Sequence, residues 1–291
     1  MITRKIASIL NPKASQGFLG QGHTAIPVID NNNFEQTDPF IALMDDQLNL
    51  PGNGTVGGAH PHAGFEIVTL VLEGDPDSKS KYLQTGGLEW MTAGSGIVHF
   101  EEIKAKVKMR ILQLWLVLPK AARWTEPKWQ ELHLNNVPIK KDGNSEIRVY
   151  SGTSLGMTGP ILNETPTTIV DFKLEAGYEV VQEIPASYNG FIYVIAGTVE
   201  VGNERTVIEE QQVAWLDKPG EKANSQVKFK GGQNGSRFIF YAGEPQGAPI
   251  LSQGPFIGDT KEDIARLYQE YRQGKMVHVR NLPQKQLLHH A

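Results

Sequence analysis

The chain has 291 residues, a formal net charge of −4 and no cysteine. The lack of cysteine excludes disulfides, zinc–thiolate sites and thiol catalysis, and the small negative charge argues against direct binding of nucleic acid or of an anionic membrane. The N-terminus lacks the apolar core of a secretory signal, and no stretch approaches the roughly 20 apolar residues that span a bilayer. We therefore expect a cytoplasmic protein without a nucleic-acid or membrane partner.

Short apolar segments rich in β-branched and aromatic residues recur between turns of Gly, Pro, Asn and Asp. These segments are 65–74, 109–119, 167–174, 190–202 and 237–243. Each is typical of a short strand, and many short strands in one chain predict an all-β sandwich or barrel. The turn-rich stretch 135–165 is interpreted as a connection between two halves.

One segment near the C-terminus, 259–275, has a helical period instead. Its apolar residues recur at i, i+3, i+4 and i+7: Ile264, Leu267, Tyr268 and Tyr271. Thr260 and Asp263 fit a capping box, and Gly274 stands where a C-terminal cap belongs. We expect an amphipathic helix around 260–273 that docks on a barrel, the alternative being a helix that binds a partner.

The two halves of the chain carry an internal repeat. Three pairs of segments align: TLVLEG (69–74) with IYVIAG (192–197), Trp90 with Trp215, and MRILQLWLVLP with SRFIFYAGEP. A duplicated β unit predicts two similar domains. We place them at 1–140 and 141–291, the second ending in the helix.

Two pairs of potential metal ligands lie in the first copy of the repeat. His60 and His62 are two residues apart, as are His99 and Glu101. Residues at that spacing on a strand point to the same side. Three imidazoles and one carboxylate form a complete ligand set for a divalent metal. We therefore predict a metal site from these four residues.

The second copy of the repeat lacks this ligand set. The aligned positions there hold other residues: Glu183, Pro185, Asn224 and Gln226. A histidine needed by the scaffold is expected in both copies, so its confinement to the first copy indicates a function. The remaining histidines have no partner at matching spacing, and the last two are expected to be disordered or at the surface: His23, His133, His278, His289 and His290.

Glycines crowd the ligand segments: Gly54, Gly57, Gly58, Gly64, Gly86, Gly87, Gly94 and Gly96. They can let the backbone approach a ligand closely, or simply make the turns that a barrel needs wherever its strands reverse. We favour turns.

The ligand segments and the C-terminal tail resemble those of a known family. Two segments resemble the cupin motifs: Gly54-x5-His60-x-His62-x3-Glu66 the first, and Gly94-x-Gly96-x2-His99 the second. The segments HPHAGFEIVTLVLEG, EWMTAGSGIVHFEE and LQLWLVLP, with the tail YAGEPQGAPILSQGPFIGDTKEDIARLYQEYRQGKM, are similar to pirin sequences. The resemblance covers nearly the whole chain and is weaker through 120–165.

The pirin resemblance implies two tandem cupin barrels of the jelly-roll type, of which only the first holds metal. It implies the ligands His60, His62, His99 and Glu101. Glu66 lies one residue off the distance that ordinary cupins keep from the turn glycine, an offset that pirins share. The resemblance therefore assigns the carboxylate ligand to Glu101, and Glu66 could orient a ligand histidine.

The resemblance leaves two classes of function open. Pirins include enzymes that open the flavonol quercetin with O2 and release CO, and non-enzymatic regulators that bind other proteins. The first class implies a flavonol-like substrate and Glu101 as the catalytic base. The second implies a metal-binding interaction protein or redox sensor. A sugar isomerase of the cupin type fits the pattern less well.

We expect one divalent metal per chain and a monomer. Iron(II) is the first choice because an open site of nitrogen and oxygen ligands suits O2 chemistry, while nickel, manganese, copper and zinc remain possible. Four residues near the ligands are candidates to line an aromatic pocket: Phe65, Trp90, Met91 and Phe100.

Overall fold

The computed structural model describes residues 1–30, 34–56, 58–75, 83–100, 103–220 and 223–290, with side chains omitted at 51, 53–56 and 103–106. The strands of the first half of the chain are β1 (Ile2–Thr3), β2 (Ile6–Leu10), β3 (Ser15–Gln16), β4 (His23–Ile29), β5 (Phe40–Val56), β6 (His60–His62), β7 (Phe65–Glu73), β8 (Leu88–Thr92), β9 (Ile97–His99), β10 (Ile103–Val117), β11 (Lys128–Leu132), β12 (Ile139–Asp142) and β13 (Ser145–Ser151).

The strands of the second half are β14 (Thr153–Ser154), β15 (Met157–Thr158), β16 (Thr167–Leu174), β17 (Glu179–Pro185), β18 (Asn189–Val201), β19 (Thr206–Glu209), β20 (Val213–Leu216), β21 (Asn224–Gly243), β22 (Leu251–Gln253), β23 (Phe256–Gly258), β24 (Val277–His278) and β25 (Leu287–His290). The α-helices are α1 (Phe34–Thr37) and α2 (Lys261–Arg272), and single 3-10 turns occupy Lys120–Ala122, Leu134–Asn136, Val279–Asn281 and Gln284–Gln286. None of the helices in the described residues has the length and apolarity needed to span a bilayer.

The chain divides into two compact units that exchange their termini. The first barrel comprises Ala14–Asn136 and Gln246–Ala291, and the second comprises Met1–Lys13 and Val137–Pro245. This grouping differs at both ends from the predicted division at residue 140. The cause is strand pairing over long sequence separations: β2 pairs with β20, and β25 pairs with β11.

The described part of the first barrel has two main sheets, besides the two-stranded sheet β22-β23. One runs in the order β25-β11-β8-β7-β10-β5-β4-β3, and the other is the short sheet β24-β9-β6. Their apolar faces enclose a core that includes Phe65, Met91 and Trp129. The short sheet carries all three histidines of the predicted site.

The second barrel has one large sheet in the order β12-β13-β16-β21-β18-β20-β2, with β1 and β17 also paired to β21 and β19 paired to β18. Its core is apolar and rich in phenylalanine. The stretch 135–165 was expected to be a connection, but β12 and β13 lie within it and pair with β16 through β13. The turn residues in this stretch therefore lie between and beside the strands of a hairpin that belongs to the second barrel.

The backbone register confirms the internal repeat residue by residue. Trp90 on β8 pairs with Val68, and Leu114 on β10 pairs with the same residue. In the second barrel, Trp215 and Tyr241 pair with Phe191 in the same way. Val68 and Phe191 are both six residues before the aligned turn glycines. Both copies thus form the same three-stranded unit.

The predicted helix is confirmed as α2 and belongs to the first barrel. The Thr260 hydroxyl accepts a hydrogen bond from the Asp263 amide, and the Asp263 carboxylate accepts one from the Thr260 amide, which completes the capping box. Gly274 follows the helix with φ +66°. Ile264 and Leu267 are buried against β23 and the neighbouring core.

Candidate metal centre

The short sheet brings the three predicted histidines together. Strands β6 and β9 are antiparallel, with His60 opposite His99 and His62 opposite Ile97. One ring nitrogen from each histidine lies within 4.8 Å of the other two. His62 and His99 are buried, and His60 is half-buried. The i, i+2 spacing on paired strands is what points the three rings to one side.

The hydrogen bonds fix how the His60 ring is presented. Its Nδ1 lies 2.8 Å from the Gly58 carbonyl oxygen, which can only accept, so Nδ1 carries the proton. In the neutral ring, Nε2 then has a free lone pair. That atom lies 2.9 Å from Nε2 of His99. Two nitrogens this close together can both be ligands of one ion.

The electrostatics keep two of the rings neutral. Burial, with the charge of His60 as a smaller cause, lowers the pKa of His62 to about 3. Burial also lowers the pKa of His99 to about 2, and the charges of His62, His60 and His278 add to this effect. A neutral imidazole is the form that binds metal, so both rings are in the ligating state at neutral pH.

The residues present fit a divalent metal. Three converging imidazoles suit iron, nickel, copper or zinc. Glu101, the predicted fourth ligand and catalytic base, lies outside the described residues.

Glu66, the glutamate of the first cupin-like motif, is fully buried next to the site. Its Oε1 accepts hydrogen bonds from Trp90 Nε1 at 2.9 Å and from the Thr92 hydroxyl at 2.8 Å. These contacts tie β7 to β8. The suggestion that Glu66 orients a ligand histidine stays a prediction.

Aromatic rings surround the histidines. The Phe65 ring lies 5.3 Å from the His62 ring, as predicted for a residue near the site. Trp115 lies 5.5 Å from His62, and Trp129 lies 6.2 Å from His99. Sequence reasoning missed both tryptophans. The alternation along β10 could have found Trp115, whereas the pairing of β11 with β8 that places Trp129 has no local signal.

The other predicted lining residues make different contacts within the first barrel. Trp90 is fully buried and is bonded to Glu66, and Met91 is part of the apolar core. Phe100 stacks on His278, with the ring centroids 5.5 Å apart. His278 thus lies near the site although no spacing in the sequence indicated it.

Three of the remaining histidines also have defined surroundings. His23 Nε2 lies 2.7 Å from Asp46 in a buried pair. His289 and His290 were expected to be disordered or at the surface. His289 is exposed, as expected of a surface residue, and His290 is half-buried; both are ordered in β25, where they lie 3.2 Å from Glu131 and 3.0 Å from Gln130 respectively. Parallel pairing with β11 orders this end of the chain.

Two barrels, with a cluster of three histidines among the described residues of the first, define a bicupin with a candidate divalent-metal site. Two family models match the chain: Pirin over residues 23–116 and the Pirin C-terminal cupin domain over residues 169–277. The chain belongs to the pirin family.

Individual relatives agree with this assignment. Pirin from Homo sapiens is 33% identical over 276 residues, which cover 92% of each chain. Pirin-1 from Arabidopsis thaliana is 34% identical over 245 residues, which cover 82% of this chain and 83% of that protein. Among solved structures, quercetin 2,3-dioxygenase from Acinetobacter baumannii has a TM-score of 0.81 at 26% identity and covers 94% of this chain and 98% of its own.

Proposed function

We propose that the chain is a metal-dependent dioxygenase of the pirin type that opens a flavonol such as quercetin with O2 and releases CO. The observation that carries the proposal is the convergence of His60, His62 and His99. The similarity to the Acinetobacter quercetin 2,3-dioxygenase supports the reaction class.

The proposed ligands are these three histidines and Glu101. Iron(II) is the proposed metal, and nickel, manganese, copper and zinc suit the same donors. When bound, a divalent metal supplies Lewis-acid polarisation that lowers the pKa of a substrate hydroxyl. Glu101 would accept the proton of that hydroxyl, acting as ligand and base.

The described residues contribute orientation and exclusion of water. The hydrogen bond from His60 Nδ1 to the Gly58 carbonyl fixes the ring with Nε2 facing the site. The rings of Phe65 and Trp115, with centroids 4.5 Å apart, form an apolar wall beside His62. Phe65 is fully buried and Trp115 is half-buried, so Trp115 is the ring of this wall that can stack on a flat aromatic substrate.

Oxygen uptake with quercetin tests the proposal. We expect uptake and CO release by the iron(II)-loaded wild type, and a loss of at least about 100-fold in His62→Ala and Glu101→Ala. His133→Ala is the matched control, since His133 lies in the same barrel outside the histidine cluster, and it should keep wild-type uptake.

The alternative is a non-enzymatic regulatory protein that binds metal and a protein partner. It is favoured only by the relatives that are named pirin with no stated activity. Absence of uptake with each of several metals, while the wild type still binds metal and His62→Ala does not, would contradict the dioxygenase and support this alternative.

A further inference from the structure

The C-terminal segment, residues 246–290, lies against both strands that carry the histidines. It belongs to the same compact unit as those strands. Its contacts fall directly after His62 and directly beside His99. Neither proposed catalysis nor the ligand set accounts for these contacts.

At the His62 side, the segment meets the chain through its backbone. The Ile257 amide donates to the Ala63 carbonyl at 3.0 Å, and Ala63 forms an isolated parallel bridge with Phe256. Gly64 follows with φ +87°, and a Cβ there would lie 2.0 Å from the Ile257 carbonyl oxygen. Glycine at position 64 therefore lets the segment approach the residue next to a ligand.

At the His99 side, the segment adds a strand. Strand β24 pairs in parallel with β9, with Val277 opposite Ile97 and His278 opposite Val98. A Cβ on Gly96, at φ +130°, would lie 3.0 to 3.2 Å from the Met276 side chain. Two of the glycines that the sequence analysis assigned to turns therefore also make room for this segment.

A cation–π contact closes the His99 side. The Arg280 guanidinium carbon lies 3.9 Å from the centroid of the Phe100 ring, and His278 stacks on that ring. Phe100 is the residue between His99 and Glu101. The attraction between the guanidinium and the ring face therefore holds the residue that separates the two members of a ligand pair.

Two further contacts fix the segment to the barrel. Asp38 accepts hydrogen bonds from the amides of Gln246 at 2.9 Å and Gly247 at 2.7 Å. The fully buried Arg123 pairs with Asp259 at 3.2 Å, just before α2. The segment is thus held at its start, at its middle and on both ligand strands.

We infer that the C-terminal segment is a clamp that sets the metal affinity of the three-histidine site, with Arg280 as a positioning residue. Strands β6 and β9 have three residues each, and so short a pair is marginal alone. The clamp orders both strands before metal binds, so less conformational entropy is lost on binding. The inference rests on the metal-binding part of the proposed function.

Nickel(II) titration of the full-length, metal-free protein tests the role of Arg280. We expect Arg280→Gln to raise the nickel Kd about 10-fold, as changes that misorient ligands do, and Arg280→Lys to recover part of the loss because the cation is kept. Arg272→Gln is the matched control: Arg272 is exposed and makes its cation–π contact within α2, at 6.0 Å from the centroid of the Tyr268 ring. It should leave Kd unchanged.

A glycine pair tests the His62 side. Gly64→Ala introduces both a positive-φ strain and a collision with Ile257, whereas Gly274→Ala introduces the strain alone, since nothing lies within 4 Å of its Cβ. Only Gly64→Ala should weaken nickel binding, again by about 10-fold.

Hydrogen exchange supplies a readout that is independent of activity. Coupling between two sites is reciprocal, so nickel(II) should slow amide exchange in β24, which holds no ligand. Wild type that fails to bind nickel would contradict the proposed metal site itself. A different outcome would overturn the clamp and leave the metal site standing. In that outcome the wild type, Arg280→Gln and Gly64→Ala all bind nickel(II) equally well, and nickel(II) does not change amide exchange in β24.

Discussion

The two barrels share their framework and differ in what fills it. In the first barrel, Arg110 on β10 forms a two-point ion pair with Asp45 on β5, at 3.0 and 2.8 Å. In the second barrel, Arg237 on β21 pairs with Asp171 on β16 at 3.2 and 2.8 Å. These are equivalent positions in the repeat, because Asp45 faces Leu112 and Asp171 faces Ile239.

The interiors do not correspond in this way. The second barrel is packed with phenylalanine rings: Phe229 lies 5.5 Å from Phe172, 4.8 Å from Phe238 and 5.8 Å from Phe240. In the second barrel, β17 pairs with the start of β21, just as β6 pairs with β9 in the first. Neither β17 nor β21 contains histidine. What recurs in both copies is therefore scaffold, and what occurs once is the candidate site.

Removing the Asp–Arg ion pair that recurs in both barrels should cause the largest loss of stability. The loss should be similar in the two barrels. Asp45 and Asp171 have buried side chains, while their arginines are 16% and 25% exposed. We expect Asp45→Ala and Asp171→Ala each to lower the free energy of unfolding by about 3 kcal/mol, because each leaves an arginine without its counter-charge. Denaturant titration measures this.

The same variants separate scaffold from site. Asp171→Ala should leave the nickel(II) Kd of the folded protein unchanged, because the second barrel contains none of the clustered histidines. An effect on nickel binding as large as that of Arg280→Gln would show that the two barrels are not independent in this respect.

We expect smaller losses of stability from substituting the two tryptophans that the repeat aligns, Trp90 and Trp215, and we expect the two losses to differ. Trp90 is fully buried and donates to the buried Glu66 carboxylate, whereas Trp215 is half-buried and lies 4.7 Å from the Phe191 ring. Trp90→Phe should cost about 2 kcal/mol, since the buried Glu66 oxygen loses a hydrogen-bond donor, and Trp215→Phe less than about 1 kcal/mol. Equal losses in denaturant titrations would mean that the tryptophans serve packing alone.

Sequence patterns predicted what depends on local spacing. The i, i+2 histidines required only the alternation of a strand, and the cap of α2 required only residues Thr260 and Asp263. The repeat was visible because both copies keep the same strand order. The resemblance to pirins supplied the cupin barrels and the choice of Glu101 as a ligand.

The remainder depends on contacts between residues far apart in sequence. No local pattern shows that β2 joins the second barrel or that β24 and β25 join the first, since edge pairing is set by tertiary packing. Trp129 reaches the site through the pairing of β11 with β8, and Arg280 through its contact with Phe100 after β24 has paired with β9. Glycines were ambiguous for the same reason: the partner that approaches Gly64 lies about 190 residues away in the chain.

The smallest expected effect tests whether the C-terminal residues belong to the first barrel. The test is made at the N-terminal cap of α2. Thr260→Ala removes the hydroxyl that caps the Asp263 amide, and a lost cap costs about 1 kcal/mol. Because α2 packs on β23 in the first barrel, the loss should speed amide exchange in 251–272 and leave exchange in β16–β21 unchanged. Thr158→Ala, at an exposed threonine of β15 in the second barrel, is the control and should not alter exchange in α2. Faster exchange in the second barrel of Thr260→Ala would contradict the grouping, because it would mean that the helix stabilises the barrel to which the sequence-based division assigned it.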